Sequence, residues 1–295
     1  MYNKLTRELA VCGLNAVRAL GELHPEKINR LFLREERLPL FTRLCKNLAE
    51  RKRPYKLCGD EELERVCKTN HHQGIVAMIF SPAVEAAAPE DIESWAAEGK
   101  TGLVLCDVGN DLNLGAIVRS AAFFDASPII LAGGGEDARR DTDRDADRDT
   151  GDADGDTGRD ADGDAAEEEA GEPNTRLSTA AYRAAEGGME HVAFRAVRNP
   201  AAFLRDAAKQ LVTIGTDPRA RLRIGDIPAL LNERASAKQK KRPGVALVLG
   251  SEESGLSGEV KEQCSLLARI PGTGAIESLN VAQAAALFLR ELYER

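Results

Sequence analysis

Long apolar runs are missing from this chain of 295 residues. No stretch of 18 consecutive apolar residues occurs, so the sequence predicts no membrane-spanning helix. A basic segment followed by an apolar one is also missing from the start, which speaks against a secretory signal. The six cysteines form no CxxC pair and lie inside apolar patterns, as is typical of buried free thiols in a reducing compartment. We therefore expect a cytoplasmic protein.

Several familiar site patterns are absent as well. Neither GxGxxG nor GxxxxGK[ST] occurs, which excludes the usual dinucleotide and nucleotide phosphate loops. No cluster of histidine and cysteine has metal-ligand spacing, and His191 is the one histidine after residue 100. The sequence therefore predicts no metal site and no Ser–His–Asp triad.

Negative charge is concentrated in one segment rather than spread along the chain. Residues 136–169 hold 16 acidic residues and 5 arginines, so removing their net charge of −11 from the total of −8 leaves +3. The surrounding stretch 133–173 has almost no apolar side chain larger than alanine, which predicts a disordered insert. Its Asp-x-Asp runs lack the glycine of a calcium-binding loop, having Thr157 and Ala165 there. The rest of the chain is mildly basic, which permits a polyanionic partner.

Alternating apolar patterns predict two α/β units. In residues 1–80 we expect helices in VCGLNAVRALGE, LPLFTRLCKNLAERK and DEELERVCKT, the last capped by Asp60, and strands in INRLFLRE, PYKLC and GIVAMIF. Residues 81–100 are expected to form a linker with a short helix. From residue 101 to residue 295, continuous apolar strands separated by helices predict a parallel sheet that is covered on both faces.

Three polar loops follow predicted strands of the second unit, where ligands bind in such sheets. They are DVGNDLNLGAIVRS (107–120), GSEESGLS (250–257) and IPGTGAIESLN (270–280). Each alone could be a turn, because Gly, Ser and Asn favour turns for conformational reasons. The first loop enters an apolar helix that contains one permanent charge, Arg119. That arginine could equally be structural. In that case the aliphatic part of its side chain would be buried, or its guanidinium would pair with Asp107 or Asp111.

Taken together and in order, NLGAIVRSA, LVLGSEESGLS and IPGTGAIESLNVAQAAAL resemble the three motifs of the SpoU-type (TrmH-like) RNA 2′-O-ribose methyltransferases of the SPOUT superfamily. The resemblance covers roughly 101–295, and residues 1–80 resemble the small L30e-like RNA substrate-binding domain that often precedes it. Over its whole length the chain resembles the YfiF-type tRNA/rRNA methyltransferases. The resemblance implies an α/β fold with a C-terminal trefoil knot, S-adenosyl-L-methionine as cofactor, tRNA or rRNA as substrate, and a homodimer.

The resemblance also implies roles for single residues. It places Arg119 at the catalytic arginine, Asn113 at its supporting asparagine and Glu252 at the acid of the second motif, so that Asn113 and Glu252 would orient Arg119. Ser278 and Asn280 match the polar pair of the third motif, although Ser278 could simply cap the last helix. Backbone contacts to the cofactor would fall on Gly250, Ile270 and Leu279, and on Thr216 at the end of LVTIGT.

One stretch departs from the family pattern. A run rich in Ser and Thr usually follows the second strand, whereas this chain has AAEGGME, with Ala185 and Glu186 in the place of small or hydroxyl residues. A non-catalytic RNA-binding protein that retains the fold is therefore the alternative. Candidate RNA contacts are the basic runs RARLR (219–223) and KQKKR (238–242) and the N-terminal unit, although such runs can also be solvated surface.

Overall fold

The computed structural model describes residues 2–3, 7–133, 177–238 and 242–293, without the side chains of 2–3 and 234–238. The described strands are β1 (Tyr2–Asn3), β2 (Glu8–Cys12), β3 (Ile28–Leu33), β4 (Tyr55–Leu57), β5 (Ile75–Phe80), β6 (Thr101–Cys106), β7 (Ile129–Ala132), β8 (Phe194–Val197), β9 (Val212–Thr216), β10 (Leu222–Arg223), β11 (Val245–Leu249) and β12 (Leu266–Arg269). The described α-helices are α1 (Leu14–Leu23), α2 (Leu38–Glu50), α3 (Asp60–Cys67), α4 (Pro89–Glu98), α5 (Asp111–Phe123), α6 (Thr179–Ala185), α7 (Pro200–Ala207), α8 (Ile227–Lys238), α9 (Gly258–Glu262) and α10 (Val281–Tyr293).

The N-terminal unit is a five-stranded sheet with helices on both faces. Its strand order is β1-β2-β5-β3-β4, antiparallel except for the parallel pair β3–β4. Alternate residues of each strand face opposite sides, so Leu9 and Val11 join the core under α1 and α2, whereas Ala10 and Cys12 pack under α3. Every residue of β2 is buried for this reason.

Two details of the N-terminal prediction are wrong. The helix expected from residue 11 begins at Leu14, because Val11 and Cys12 end a strand that the sequence did not reveal. Helix α3 is not capped by Asp60, which is its first helical residue; Gly59 occupies the N-cap position without a side-chain bond. A strand that is buried on both faces shows no alternation, and its apolar residues therefore merged with those of the helix that follows.

The second unit is a seven-stranded sheet in which every strand pair is parallel. The order is β10-β12-β9-β11-β6-β7-β8. Helices α5, α6, α8 and α10 bury their apolar sides on one face, and α4, α7 and α9 cover the other. The predicted parallel sheet with two covered faces is thus confirmed, as is the small α/β unit before it. The trefoil knot stays a prediction.

The segment between the two sheets is held against the second one. Ala86 forms a parallel bridge with Ala196 of β8, and Trp95 of α4 is 3% exposed in the core beneath that sheet. No helix among the described residues is long and apolar enough to cross a membrane. The acidic insert predicted at 133–173 lies outside the described residues except for Gly133, and so do residues 239–241 of the second basic run.

The helix of the first loop packs unusually closely on α6. A Cβ atom added at Gly115 would lie 2.5 Å from both the carbonyl oxygen of Ala181 and the Cβ of Ala184. Gly115 therefore lies inside α5, where it forms a close helix–helix contact.

We expect Gly115→Ala to lower the free energy of unfolding by about 1–3 kcal/mol, because a methyl group there overpacks the contact between α5 and α6. Gly225→Ala is the control, since nothing lies within 4 Å of an added Cβ at that position. Urea unfolding of both variants measures the difference. Equal stability of the two variants would contradict the close packing.

Candidate active site

The three polar loops meet at one edge of the parallel sheet. They follow β6, β11 and β12, and β11 is hydrogen-bonded directly to β6, with Leu249 opposite Leu105. Strand β12 lies two places from β11, across β9. Because parallel strands end at the same edge, loops that are far apart in sequence become neighbours there.

Asn280 connects all three loops. Its amide nitrogen donates one hydrogen bond to Oδ1 of Asn113, at 3.1 Å, and another to Oε1 of Glu252, at 2.6 Å. Its amide oxygen accepts hydrogen bonds from the backbone N–H groups of Ala282, at 2.9 Å, and Gln283, at 3.4 Å. Both donors and the acceptor of the side chain are thus used, which fixes its orientation.

The N-cap of α10 is therefore Asn280 and not Ser278. Helix α10 begins at Val281, and its first free N–H groups bond to Asn280. Ser278 lies two residues earlier in an exposed part of the loop. The interpretation of Ser278 as a simple helix cap is wrong, and its hydroxyl remains available to a bound molecule.

Helix α5 begins at Asp111. Asn110 caps it, because its side-chain oxygen accepts hydrogen bonds from the N–H groups of Leu112 and Asn113. Asn113 thus lies inside the first turn, from which its side chain reaches Asn280. Asn110 is a site-forming residue that the sequence analysis missed, although an Asn before an acidic first turn is the usual signal for a cap.

Arg119 lies two turns into α5 and is exposed. Among the described residues its side chain has no hydrogen bond and no ion pair, so neither Asp107 nor Asp111 neutralises it. In the part of the chain that the structure describes, Asn113 and Glu252 bond to Asn280 and not to Arg119, so that they orient Arg119 stays a prediction. A guanidinium that is fixed on a helix but unpaired can bind an anion.

The residues expected at the cofactor lie at the ends of neighbouring strands. Thr216 ends β9, and Gly250 and Ile270 directly follow β11 and β12. Gly250 is buried against Gly255 and Leu256, so closely that an added Cβ would overlap them. The hydroxyl of Thr216 donates to the carbonyl oxygen of Val248, at 3.2 Å, and therefore points into the sheet. Leu279 is 40% exposed on the third loop.

Asp217 is a second residue that sequence reasoning missed at this edge. It follows Thr216, accepts a hydrogen bond from the N–H of Arg219 and forms an ion pair with Lys261 at 2.9 Å. Burial works against its charge, but the Arg219 N–H and the Lys261 ammonium outweigh burial and lower the pKa of Asp217. A carboxylate next to the strand ends thus stays ionised. Its ion pair with Lys261 is a tertiary contact, so the sequence alone did not set Asp217 apart from the other acidic loop residues.

We expect Asn280→Asp to lower the free energy of unfolding by about 1–3 kcal/mol. The variant keeps the oxygen that caps α10 but replaces both N–H donors with a carboxylate beside Glu252. Adding Glu252→Gln restores a donor opposite the new carboxylate and should recover most of the loss. Denaturant unfolding measures both variants, and wild-type stability of Asn280→Asp would show that the three loops are not connected through this side chain.

Two family models match this chain. The SpoU rRNA Methylase family matches residues 170–290, and the RNA 2'-O ribose methyltransferase substrate binding family matches residues 10–84. The first match contains Glu252, Ser278 and Asn280, whereas Asn113 and Arg119 precede it.

Relatives similar over the whole chain carry related names. The 23S rRNA (guanosine-2'-O-)-methyltransferase RlmB of Nitrosomonas europaea is 27% identical over 99% of this chain and 93% of its own length. The uncharacterized tRNA/rRNA methyltransferase YfiF of Escherichia coli O157:H7 is 25% identical over 98% of this chain and 68% of its own length.

Solved structures share the fold. An rRNA methyltransferase from Sinorhizobium meliloti with bound AdoMet has a TM-score of 0.66 and 22% identity, covering 98% of this chain and 88% of its own. The SpoU methyltransferase AviRb from Streptomyces viridochromogenes has a TM-score of 0.62 and 19% identity, covering 99% of this chain and 93% of its own. Both family models, the relatives and the joined loops lead to one conclusion: residues 170–290 belong to the SpoU rRNA Methylase family, and residues 10–84 belong to the RNA 2'-O ribose methyltransferase substrate binding family.

Proposed function

We propose that this chain methylates a ribose 2′-hydroxyl of tRNA or rRNA in the cytoplasm, with Arg119 next to the reacting hydroxyl. The observation that carries the proposal is the double hydrogen bond of Asn280, which joins the three motif loops at one sheet edge. The name of the Nitrosomonas relative favours ribosomal RNA. The unpaired state of all six cysteines supports the cytoplasmic location.

The residues at the strand ends fit the cofactor. When bound, S-adenosylmethionine supplies an electrophilic methyl group on a sulfonium. We propose that the backbone at Gly250, Ile270 and Leu279 holds its polar groups, because the tightly packed Gly250 leaves main-chain atoms rather than a side chain at the end of β11. Thr216 stabilises these strand ends through the hydrogen bond of its hydroxyl to the carbonyl oxygen of Val248 in β11.

Arg119 is a poor general base, because arginine keeps its proton at any physiological pH. We propose instead that its guanidinium binds the target phosphate through two hydrogen bonds and stabilises the negative charge that develops on the ribose oxygen. The hydroxyl proton then leaves to a phosphate oxygen or to water. Asn113, Glu252 and Asn280 hold the loops in place around it, and Ser278 is free to contact the nucleotide.

Arg119→Lys tests the phosphate contact, because lysine keeps the charge but cannot form the paired hydrogen bonds. We expect kcat to fall roughly 100-fold or more, the usual effect of removing one such stabilising contact. Affinity for S-adenosylmethionine should stay within about twofold, and Arg205→Lys, an exposed change on α7, serves as the control. A nearly unchanged methylation rate would rule out the paired phosphate contact.

Calorimetric titration with S-adenosylmethionine separates an enzyme from a non-catalytic RNA-binding protein. The proposal requires that the purified chain binds S-adenosylmethionine. Mapping the 2′-O-methyl positions in total RNA then measures methyl transfer. Failure to bind would favour the alternative.

Arg219, Arg221 and Arg223 of the first basic run are exposed, as phosphate contacts must be, and Arg219 lies 3.6 Å from Glu277 of the third loop.

The homodimer is also part of this proposal, and an exposed aromatic cluster supports it. Phe123, at the end of α5, is 80% exposed and packs edge-to-face on Phe124, with ring centroids 5.0 Å apart. Phe124 in turn contacts Tyr293 of α10, at 5.8 Å, and Tyr293 is 60% exposed. Aromatic rings concentrated on one surface are typical of protein interfaces.

Phe123→Glu should convert the dimer into a monomer, because a charge would be buried at the centre of the interface. Sedimentation or light scattering measures the mass. Leu40→Glu is a control, since Leu40 is an exposed apolar residue too, at 57%, but lies on α2 of the other unit. A wild-type chain that sediments as a monomer would contradict the proposed dimer.

A further inference from the structure

The stretch that departs from the family pattern connects the two units of the protein. Residues 186–190, which we call the docking segment, directly follow α6. The last three of them lie in a short 3-10 turn, Gly188–His191. Glu186 has φ 50° and Gly187 has φ 96°, so the backbone turns through two successive left-handed residues. Only glycine takes such a conformation without strain, which explains one of the two adjacent glycines.

The two glycines allow the docking segment to touch a helix on each side. A Cβ added at Gly188 would lie 3.1 Å from the carbonyl oxygen of Val118 and 3.2 Å from Cα of Arg119. A Cβ added at Gly187 would lie 2.9 Å from Cβ of Ala19 and 3.0 Å from the carbonyl oxygen of Asn15, both in α1. One short backbone segment is therefore in contact with the helix of Arg119 and with the N-terminal unit.

Polar contacts across the same boundary have charged partners. Glu190 has a side chain that is only 3% exposed, and the side chains near its carboxylate, the Lys27 ammonium at 3.4 Å and the His24 imidazole at 3.8 Å, both belong to the N-terminal unit. Asn15 donates to Glu186 at 2.7 Å. A buried carboxylate that loses its cation is strongly destabilised, so these contacts oppose separation of the two units.

The boundary is also apolar. One continuous buried cluster contains Val17 and Leu20 of α1, Tyr182 of α6, Met189 of the docking segment and Val118 of α5. Arg183 of α6 donates to the hydroxyl of Thr69, at 3.1 Å, beyond this cluster. Units joined by an apolar contact with paired charges move as one body, whereas polar contacts alone leave them free to rotate.

We propose that the docking segment holds the N-terminal unit at a fixed position relative to Arg119 and thereby selects the nucleotide that is methylated. Gly187 and Glu190 are its positioning residues, and neither contacts the RNA. This inference rests on the proposed function: RNA bound by residues 10–84 presents to Arg119 only the ribose that lies at the matching distance. The departure from a Ser/Thr-rich run thus has a function in this chain.

Two variants test the inference from opposite sides of the boundary. Gly187→Ala places a methyl group against Cβ of Ala19. The double variant with Ala19→Gly removes that Cβ and so relieves this one contact. Asn15→Ala with Lys27→Gln leaves Glu186 and Glu190 without these partners. Lys209→Gln is the matched charge control, because Lys209, just after α7, pairs with Asp206 of that helix and not with the N-terminal unit. Thermal unfolding verifies that each variant is folded.

The measurements are small-angle X-ray scattering, S-adenosylmethionine affinity, and the kcat, KM and position of 2′-O-methylation in ribosomal RNA. Both test variants should enlarge the radius of gyration, spread methylation to neighbouring nucleotides and lower kcat/KM at the original position at least tenfold, mainly through KM. Cofactor affinity should stay within twofold, and Ala19→Gly should reverse only the part of the effect of Gly187→Ala that comes from the contact with Ala19, because the positive φ and the approach to the Asn15 carbonyl remain.

Three outcomes would overturn the inference. An unchanged scattering profile would show that these residues do not hold the units together. Released units that still methylate the original nucleotide with wild-type kcat/KM would show that position does not select the nucleotide, while the proposed function would stand. A wild-type chain that binds no S-adenosylmethionine and methylates no RNA would instead remove the proposed function itself, and this inference with it.

Discussion

One asparagine side chain determines the arrangement of the candidate active site. Asn280 caps the last helix with its oxygen and ties the loops after β6 and β11 with its nitrogen. Because its donors and its acceptor are used at once, no other rotamer satisfies the same partners. The positions of Asn113 and Glu252 therefore depend on where α10 begins. Arg119, by contrast, has no side-chain partner among the described residues and is positioned only by its helix.

Close backbone approach is the second constraint, and it extends from the site to the N-terminal unit. Gly115 lets α6 pack on α5, and Gly187 and Gly188 let the docking segment contact α5 and α1. Helix α5 thus carries the exposed Arg119 side chain next to its close contacts with α6 and with the docking segment. In a tightly packed interior, small displacements at such contacts pass directly to their neighbours. The domain boundary and the site are for this reason connected through α5.

Much of the fold was predictable because it follows from local apolar patterns. The strands of the second unit, such as Val245–Leu249, are short and continuously apolar, and helices separate them, which indicates a parallel sheet. The errors occurred where two elements share one apolar stretch, as at Val11 and Cys12, or where several polar residues could each cap a helix. Asn280 caps the last helix, although Ser278 stands two residues before it, and Asn110, which the sequence analysis did not name, caps α5. Caps depend on φ and ψ, which composition does not specify.

The sequence by itself determined the residues of the three loops, the exposed charge inside an apolar helix and the order of motifs that marks the family. Only the tertiary structure decided which of those residues touch. Asn280 and Asn113 are separated by 167 positions, and Asn15 and Glu186 by 171. Contacts at such separations exist because parallel strands bring their carboxyl ends to one edge and because an apolar boundary holds the two units together. Both causes act through space rather than along the chain, so no local pattern of residues specifies them.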